Sequence, residues 1–248
     1  MVSQIEASLF PYQSFIAARK PPDQSFLLRP AVEFFTAGRL YWRFARRGEE
    51  SAVTGTIGDK CMYTLQFDGL FKPAQGTNPA EQAGFMCYGW LIWKDARVIA
   101  RGHGGVVRGQ AATSNTAEYM ALIEGLDALR DMLTPQNTGD GVCEQPVMVI
   151  GDARSVIDQM QQASAILSAD TRLLNERARR ISVQFMQIQW AWMPREKNRA
   201  ADALTRRAMR QIRQDEKNYQ AAVEFIDRQG GSKRTLPLVD LRVYQPAA

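Results

Sequence analysis

Between residues 61 and 107 the apolar side chains fall in short runs at the period of extended chain: CMYTLQFD, then GFMCYGWLIWKD and RVIARGHGGVV, with a polar step from Lys94 to Arg97. Such runs predict one strand followed by a hairpin of two more. The period then changes. In SNTAEYMALIEGLDAL, steps of three, four, seven, eight and eleven from Glu118 reach Ala121, Leu122, Gly125, Leu126 and Leu129, which is one face of a helix. PVMVIGD is a short apolar run suited to a strand buried on both faces, and ARSVIDQMQQA turns helical after it. DTRLLNERARRI predicts a further helix. In VQFMQIQWAWM the alternation of Val183, Phe185, Ile188, Trp190 and Trp192 predicts another strand with an irregularity. KNRAADALTRRAMRQIRQ is strongly helical, and helix propensity runs on to Ile226. The order βββαβα(α)βα implies an α/β domain, a mixed sheet with helices on its faces.

The flanks differ from this centre. Residues 1–59 mix aromatic and basic residues with prolines and end in the polar stretch RRGEESAVTGTIGDK, which has the composition of a linker. After about Ile226, the stretch RQGGSKRTLPLVDLRVYQPAA is broken by glycines and prolines and predicts an extended arm. The expected division is therefore an N-terminal extension over 1–59, a central domain over 60–213, and a helix end with an extended tail over 214–248. Within the N-terminal part, RLYWRFARRGEE interleaves arginine with Tyr41, Trp42 and Phe44, a composition fit for packing or for stacking on bases.

Composition narrows the class of protein. The 248 residues are 45% hydrophobic and 23% charged, as in ordinary soluble globular proteins. No run of 18 or more apolar residues occurs, and the amino terminus MVSQIEASLFPYQSF lacks the pattern of a signal peptide, so no membrane and a cytoplasmic location are expected. Cys61, Cys87 and Cys143 are far apart in apolar surroundings and read as buried thiols. The single histidine, His103, falls among glycines on a predicted strand and reads as structural. A net charge of +5, with arginines gathered at Arg39 to Arg47, Arg172 to Arg180 and Arg195 to Arg213, favours a polyanionic partner. Nothing in the sequence fixes an oligomeric state or calls for a small organic cofactor.

Four acids stand out by position. Asp68 closes the first predicted strand, Glu118 points along the apolar face of its helix, Asp152 closes the fourth strand, and Asp202 lies near the start of the last helix. Ligands of open sheets gather at the carboxyl ends of strands. Two carboxylates about 5 Å apart repel by roughly 3 kcal/mol at an effective dielectric near 20, so such a group needs protons or cations. Oxygen donors without nearby His or Cys select hard ions, Mg²⁺ or Mn²⁺. Glu124, Asp127 and Asp131 lie off the inward stripe and are assigned to solvent.

YTLQFDG, TSNTAEYMALIEGLDAL, VMVIGDARSVI and PREKNRAADAL together resemble, in order and spacing, the four catalytic blocks of type 1 ribonuclease H, over roughly residues 61 to 210. The resemblance implies the ribonuclease H-like fold, a five-stranded mixed sheet whose first three strands are antiparallel. It further implies an endonuclease that uses two Mg²⁺ ions, with Mn²⁺ as substitute, to cut the RNA strand of an RNA/DNA hybrid and leave 5′-phosphate and 3′-hydroxyl ends. By the resemblance, Asp68, Glu118, Asp152 and Asp202 are the metal-holding catalytic acids. Gly69, Asn115, Asn78 and Asn198 match substrate-side positions, and Arg154 and Arg195 are expected at phosphates. Two features depart from the pattern: the loop histidine before the last helix is replaced by MPREKN, and the segment from Ser155 to Thr171 has no Lys or Arg and is too short for a basic protrusion. Rival readings are a resolvase-like nuclease of the same fold and a non-catalytic module that binds hybrid, RNA or protein.

Overall fold

The structure is a computed structural model that describes residues 63–74, 82–95, 97–134, 143–229 and 233–244, together with the backbone of 29–36, 39–46 and 49–54. Three N-terminal strands, β1 (Arg29–Thr36), β2 (Arg39–Arg46) and β3 (Glu49–Thr54), precede the predicted centre. The centre opens with β4 (Tyr63–Pro73), β5 (Gly84–Lys94) and β6 (Arg97–Arg108), paired antiparallel in that order. Helix α1 (Ser114–Leu133) crosses back, β7 (Val147–Gly151) pairs parallel with β4, and β8 (Ile188–Trp192) pairs parallel with β7. Between the last two strands lie α2 (Arg154–Met160) and α3 (Ala169–Ser182); α4 (Arg199–Gln214), α5 (Glu216–Gln229) and β9 (Thr235–Tyr244) complete the chain.

The five expected strands thus stand side by side as β8-β7-β4-β5-β6 inside a wider sheet of order β3-β2-β1-β8-β7-β4-β5-β6-β9. The extra width comes from the flanks. The stretch 235–244, expected as a free arm, pairs antiparallel along β6 and covers an otherwise open edge. The polar stretch expected as a linker contains β3, and β1 meets β8 at Ala31 and Trp192. The last long helix is broken at Asp215, where the backbone turns extended, so α4 and α5 are separate. Strand β8 is shorter than its alternation implied: Phe185 makes only an isolated bridge to Cys143, and Val183 is exposed beyond the end of α3.

The main core lies between the sheet and α1. Leu65, Phe67, Trp90 and Ile92 from the strands meet Tyr119, Leu122, Leu126 and Leu129, all essentially without solvent contact. A buried Leu or Phe contributes about 1.5–3 kcal/mol, so this layer fixes how α1 lies across β4 and β5. Helix α1 starts where it does because Thr113 accepts from the Thr116 amide while the Thr116 hydroxyl accepts from the Thr113 amide, a reciprocal cap. On the other face α4 and α5 bury Ala208, Met209, Ile212, Ala222 and Ile226 against Phe85, Cys87 and Val107. A polar chain knits α1, α2 and α3: Asn175 donates to the Tyr119 hydroxyl, which donates to Gln159, and Arg179 donates to Asn175 and to the Gln159 carbonyl.

His103 is buried on β6 beside Gln211, 2.8 Å away, and burial lowers its pKa, which agrees with a structural role. Cys87 and Cys143 are buried free thiols; Cys61 lies outside the described residues. Glu124 and Asp127 are not simply solvated: Arg242 of β9 pairs with Glu124 at 2.6 Å, and Arg177 of α3 and Arg130 pair with Asp127. Among the described residues no helix is long and apolar enough to cross a membrane.

Candidate metal centre

Strand β4 does not stop at Asp68 as its sequence implied; it continues to Pro73 along β5. Its parallel partner β7 stops earlier, the last pair being Phe67 with Gly151. Asp68 is therefore the first residue of β4 beyond the end of β7, and Asp152 is the first residue after β7 itself. Parallel β7 and β8 both end here while β4 runs on, which opens a notch of the kind where α/β sheets take ligands.

Two glycines let helices close on that notch from both faces. A Cβ on Gly69 would run into the main chain of Ala117 and Glu118, so α1 rests directly against the strand. Across the ladder from Asp68, a Cβ on Gly89 would sit 2.8 Å from the Ala201 carbonyl and 2.7 Å from Leu204, so α4 presses on the opposite face. Glu118 reaches in from α1, its Oε2 accepting from the Gly69 N–H at 3.0 Å. Asp68, only 3% exposed, faces α4, with the Thr205 hydroxyl 3.0 Å from its Oδ2. That hydroxyl is also 2.8 Å from the Asp202 carbonyl and donates to one of the two at a time.

Asp68, Glu118 and Asp152 each bring a carboxylate oxygen within 4.8 Å of the others. None of the three pairs with a lysine or arginine among the described residues. Burial, reinforced by the Asp152 charge, pushes the Asp68 carboxyl up to about 7. Burial, with the charges of Asp68 and Asp152 behind it, drives Glu118 well above the usual carboxylate range, and the Gly69 N–H only partly opposes it. Each like-charged pair at such separation costs roughly 3 kcal/mol at an effective dielectric near 20. One buried and two half-buried acids crowded in this way, offering only oxygen, fit a hard divalent cation.

Asp202 stands apart from this cluster. It sits in the first turn of α4 with its charge felt at Asp68, but its Oδ1 pairs with Arg195 at 3.5 Å and its Oδ2 with Arg206 at 2.7 Å. Both arginines are more than 60% exposed. Of the expected quartet, three acids converge and the fourth is clasped beside them.

The other expected site residues divide. Asn198 is 0% exposed and therefore does not face a substrate. It is the N-cap residue of α4, yet its side chain makes no cap bond. Instead its amide donates to the Asp152 carboxylate and, at 2.9 Å, to the Phe67 carbonyl, while its oxygen accepts from Gln66 at 2.8 Å. Gln66 in turn accepts from the Trp93 indole at 3.2 Å. Gln66, which its strand position gave no reason to single out, is thus part of the frame around Asp152. The Gly69 N–H is already committed to Glu118. Asn115 is held at the start of α1 between Ser155 of α2 and Thr171 of α3, at 3.1 and 3.4 Å. Arg154, first in α2, lies over the Trp192 ring at 5.4 Å with its charge toward Asp158. The Trp192 indole donates to the Asp152 carbonyl at 3.0 Å. Arg179, one of the arginines expected at phosphates, is used internally. Asn78 lies outside the described residues.

Residues 88–208 match the family model described as reverse transcriptase-like. The antiparallel trio β4-β5-β6 continues from β4 into parallel β7 and from there into parallel β8. The fold is ribonuclease H-like. Among curated proteins, the bifunctional protein Rv2228c of Mycobacterium tuberculosis and an uncharacterised protein of Mycobacterium bovis are each 32% identical over 124 residues, 49% of this chain. The matched stretch spans 30% of the length of these relatives. Among solved structures, the N-terminal ribonuclease H domain of Rv2228c is 27% identical, with a TM-score of 0.49, over 62% of this chain and 98% of that one. Ribonuclease H1 of Halobacterium salinarum is 28% identical, with a TM-score of 0.47, over 60% and 98%. This ribonuclease H-like domain carries its acidic triad on β4, on α1 and just after β7.

Proposed function

We propose that the protein is a metal-dependent endonuclease that hydrolyses the RNA strand of RNA/DNA hybrids and leaves 5′-phosphate and 3′-hydroxyl ends. The observation that carries this reading is the convergence of Asp68, Glu118 and Asp152, none of them ion-paired to a lysine or arginine among the described residues, on a ribonuclease H-like fold. These three side chains would hold a pair of Mg²⁺ ions, with Mn²⁺ as substitute. When bound, such ions supply positive charge to the phosphate oxygens and lower the pKa of water for in-line attack at phosphorus. The protein's own groups keep the carboxylates in place: the Gly69 amide for Glu118, Thr205 for Asp68, and Asn198 for Asp152.

Asp202 serves as the fourth acid. Exposed ion pairs are worth about 0–1 kcal/mol, so the Arg195 and Arg206 contacts do not commit it. Asn115, beside the triad at the head of α1, would face the minor groove, where 2′-hydroxyls mark RNA. Arg154 and Arg195, both mostly exposed at the rim, would meet phosphates.

The clasp on Asp202 is the feature that favours the second reading, a module that binds hybrid without cutting it. A hybrid labelled on its RNA strand separates the two. Cleavage in Mg²⁺ by the wild type, absent in Asp68→Asn, is the expected result. Silence of the wild type in both Mg²⁺ and Mn²⁺, with hybrid affinity retained, selects the binding module; equal cutting by both proteins refutes the site assignment.

A further inference from the structure

Helix α4 buries Ala201, Leu204, Thr205, Ala208, Met209 and Ile212 against the sheet. Opposite that face, Arg199, Arg206, Arg210 and Arg213 are all exposed. At 100° per residue their spacing places them within a sector about 60° wide, a single stripe running about 21 Å along the helix. The only acid on α4 is Asp202, at the end nearest the triad.

A charged outer helix face is usually just solvated, and several arginines elsewhere in this molecule are neutralised by a partner. Arg130, Arg177, Arg228 and Arg242 each pair with a carboxylate. The next helix, α5, mixes Glu216, Lys217, Glu224 and Arg228 on its surface. On α4, among the described residues, Arg199, Arg210 and Arg213 have no carboxylate partner; Arg172 and Arg180 of α3 have none either, but only on α4 do four arginines share one stripe. Like charges at this spacing destabilise a helix by about 0.2–0.5 kcal/mol per pair, so the stripe is a standing cost without a counter-charge from outside.

We infer that the α4 stripe is a track for the sugar-phosphate backbone of the nucleic-acid duplex that continues beyond the cleavage point, an inference that rests on the function proposed above. The stripe is continuous with the site: Thr205 touches Asp68 from the inner side of α4 while Arg206, its neighbour, touches Asp202 from the outer side. Phosphates along one strand follow at about 3.4 Å of helix axis, so 21 Å spans about six of them.

The test uses the full chain and fluorescence anisotropy with a labelled RNA/DNA hybrid of about 30 base pairs in EDTA, read from about 50 to 200 mM salt. Arg210 and Arg213 are the informative positions because neither touches an acid of the site; Arg206 is left intact for its contact with Asp202. For the double variant Arg210→Gln/Arg213→Gln, the slope of log affinity against log salt becomes shallower by about 1.8, or 0.9 for each lost phosphate contact. Arg228→Gln on α5 keeps the wild-type slope, and matching thermal melts exclude misfolding as the cause. A wild-type slope in the double variant, or no binding by the wild type, overturns the track. Duplex binding with the expected change of slope but no cleavage in Mg²⁺ leaves the track standing and defeats the nuclease reading; cleavage with an unchanged slope does the reverse.

Discussion

The side-chain amide of Asn198 donates to the Asp152 carboxylate, although Asn198 heads a helix whose free amides it would ordinarily cap. Its second N–H goes to the Phe67 carbonyl, at the last β4–β7 pair before Asp68, so one buried amide fixes Asp152 relative to Asp68. Asn198→Ala strips partners from Gln66 and the Phe67 carbonyl as well as from Asp152. Each buried polar group left unpaired costs about 1–3 kcal/mol, so urea unfolding should show a loss of roughly 2–4 kcal/mol in metal-free buffer. Loss of a group that orients metal ligands typically weakens metal binding about 10–100-fold. Calorimetric titration with Mn²⁺ should show a weakening of that size, and unchanged affinity would mean that Asn198 is structural only.

The raised carboxyls give the metal-free protein an unusual pH dependence. Burial, with the Asp152 charge behind it, raises the Asp68 carboxyl from 3.8 to about 7 in the folded protein. The folded state then binds more protons than the unfolded one between these values. The contribution of Asp68 to stability is fully present below about pH 4, is lost as pH rises toward about 7, and is flat above. Glu118 has the same sign. In EDTA, thermal melts should therefore show Asp68→Asn to be more stable than the wild type at pH 8, by on the order of 1–4 kcal/mol, with the gap closing toward pH 5. Added Mg²⁺ at pH 8 should stabilise only the wild type appreciably. A wild type and variant with parallel melts across this range would contradict the burial of an uncompensated acid.

Gly69 is required for its missing side chain rather than for an unusual backbone angle. A methyl group there meets the Ala117 and Glu118 main chain, so Gly69→Ala must push α1 away from β4. Overpacking of this kind costs about 1–3 kcal/mol, and it also moves the carboxylate that accepts from the Gly69 amide. The expected result is a lower urea midpoint together with weaker Mn²⁺ binding; a stability loss with unchanged metal affinity would separate packing from the site.

The Asp202 clasp makes a prediction of opposite sign. Arg206→Gln removes the 2.7 Å partner of an acid proposed to join the metal site. Since Arg206 is exposed, stability should be nearly unchanged, while the Mg²⁺ concentration for half-maximal hybrid cleavage should fall a few-fold. A rise in that concentration would assign Arg206 to substrate or metal retention instead.

Much of this architecture is legible in local sequence. The inward stripe of Glu118, Ala121, Leu122, Leu126 and Leu129 predicts which way α1 faces, because a helix period is a property of neighbours in the chain. The same holds for the β5–β6 hairpin and for the apolar run that became β7. What escaped depends on partners far apart in sequence. Asn198 meets Gln66 across 132 positions, and only the folded sheet shows that its amide is turned inward rather than toward a cap. The stretch 235–244, broken by Pro237, resembles a tail until β6 supplies a free edge for it. Asp202 sits where its motif placed it, but its charge is answered by arginines at Arg195 and Arg206 that local pattern does not distinguish from solvated ones.

The most direct test is to locate the ions. Crystals grown with Mn²⁺ should give anomalous density between the carboxylates of Asp68, Glu118 and Asp152. An ordered structure with these three carboxylates empty at saturating Mn²⁺, or with the ion bound elsewhere, would contradict the assignment of this notch as the metal centre.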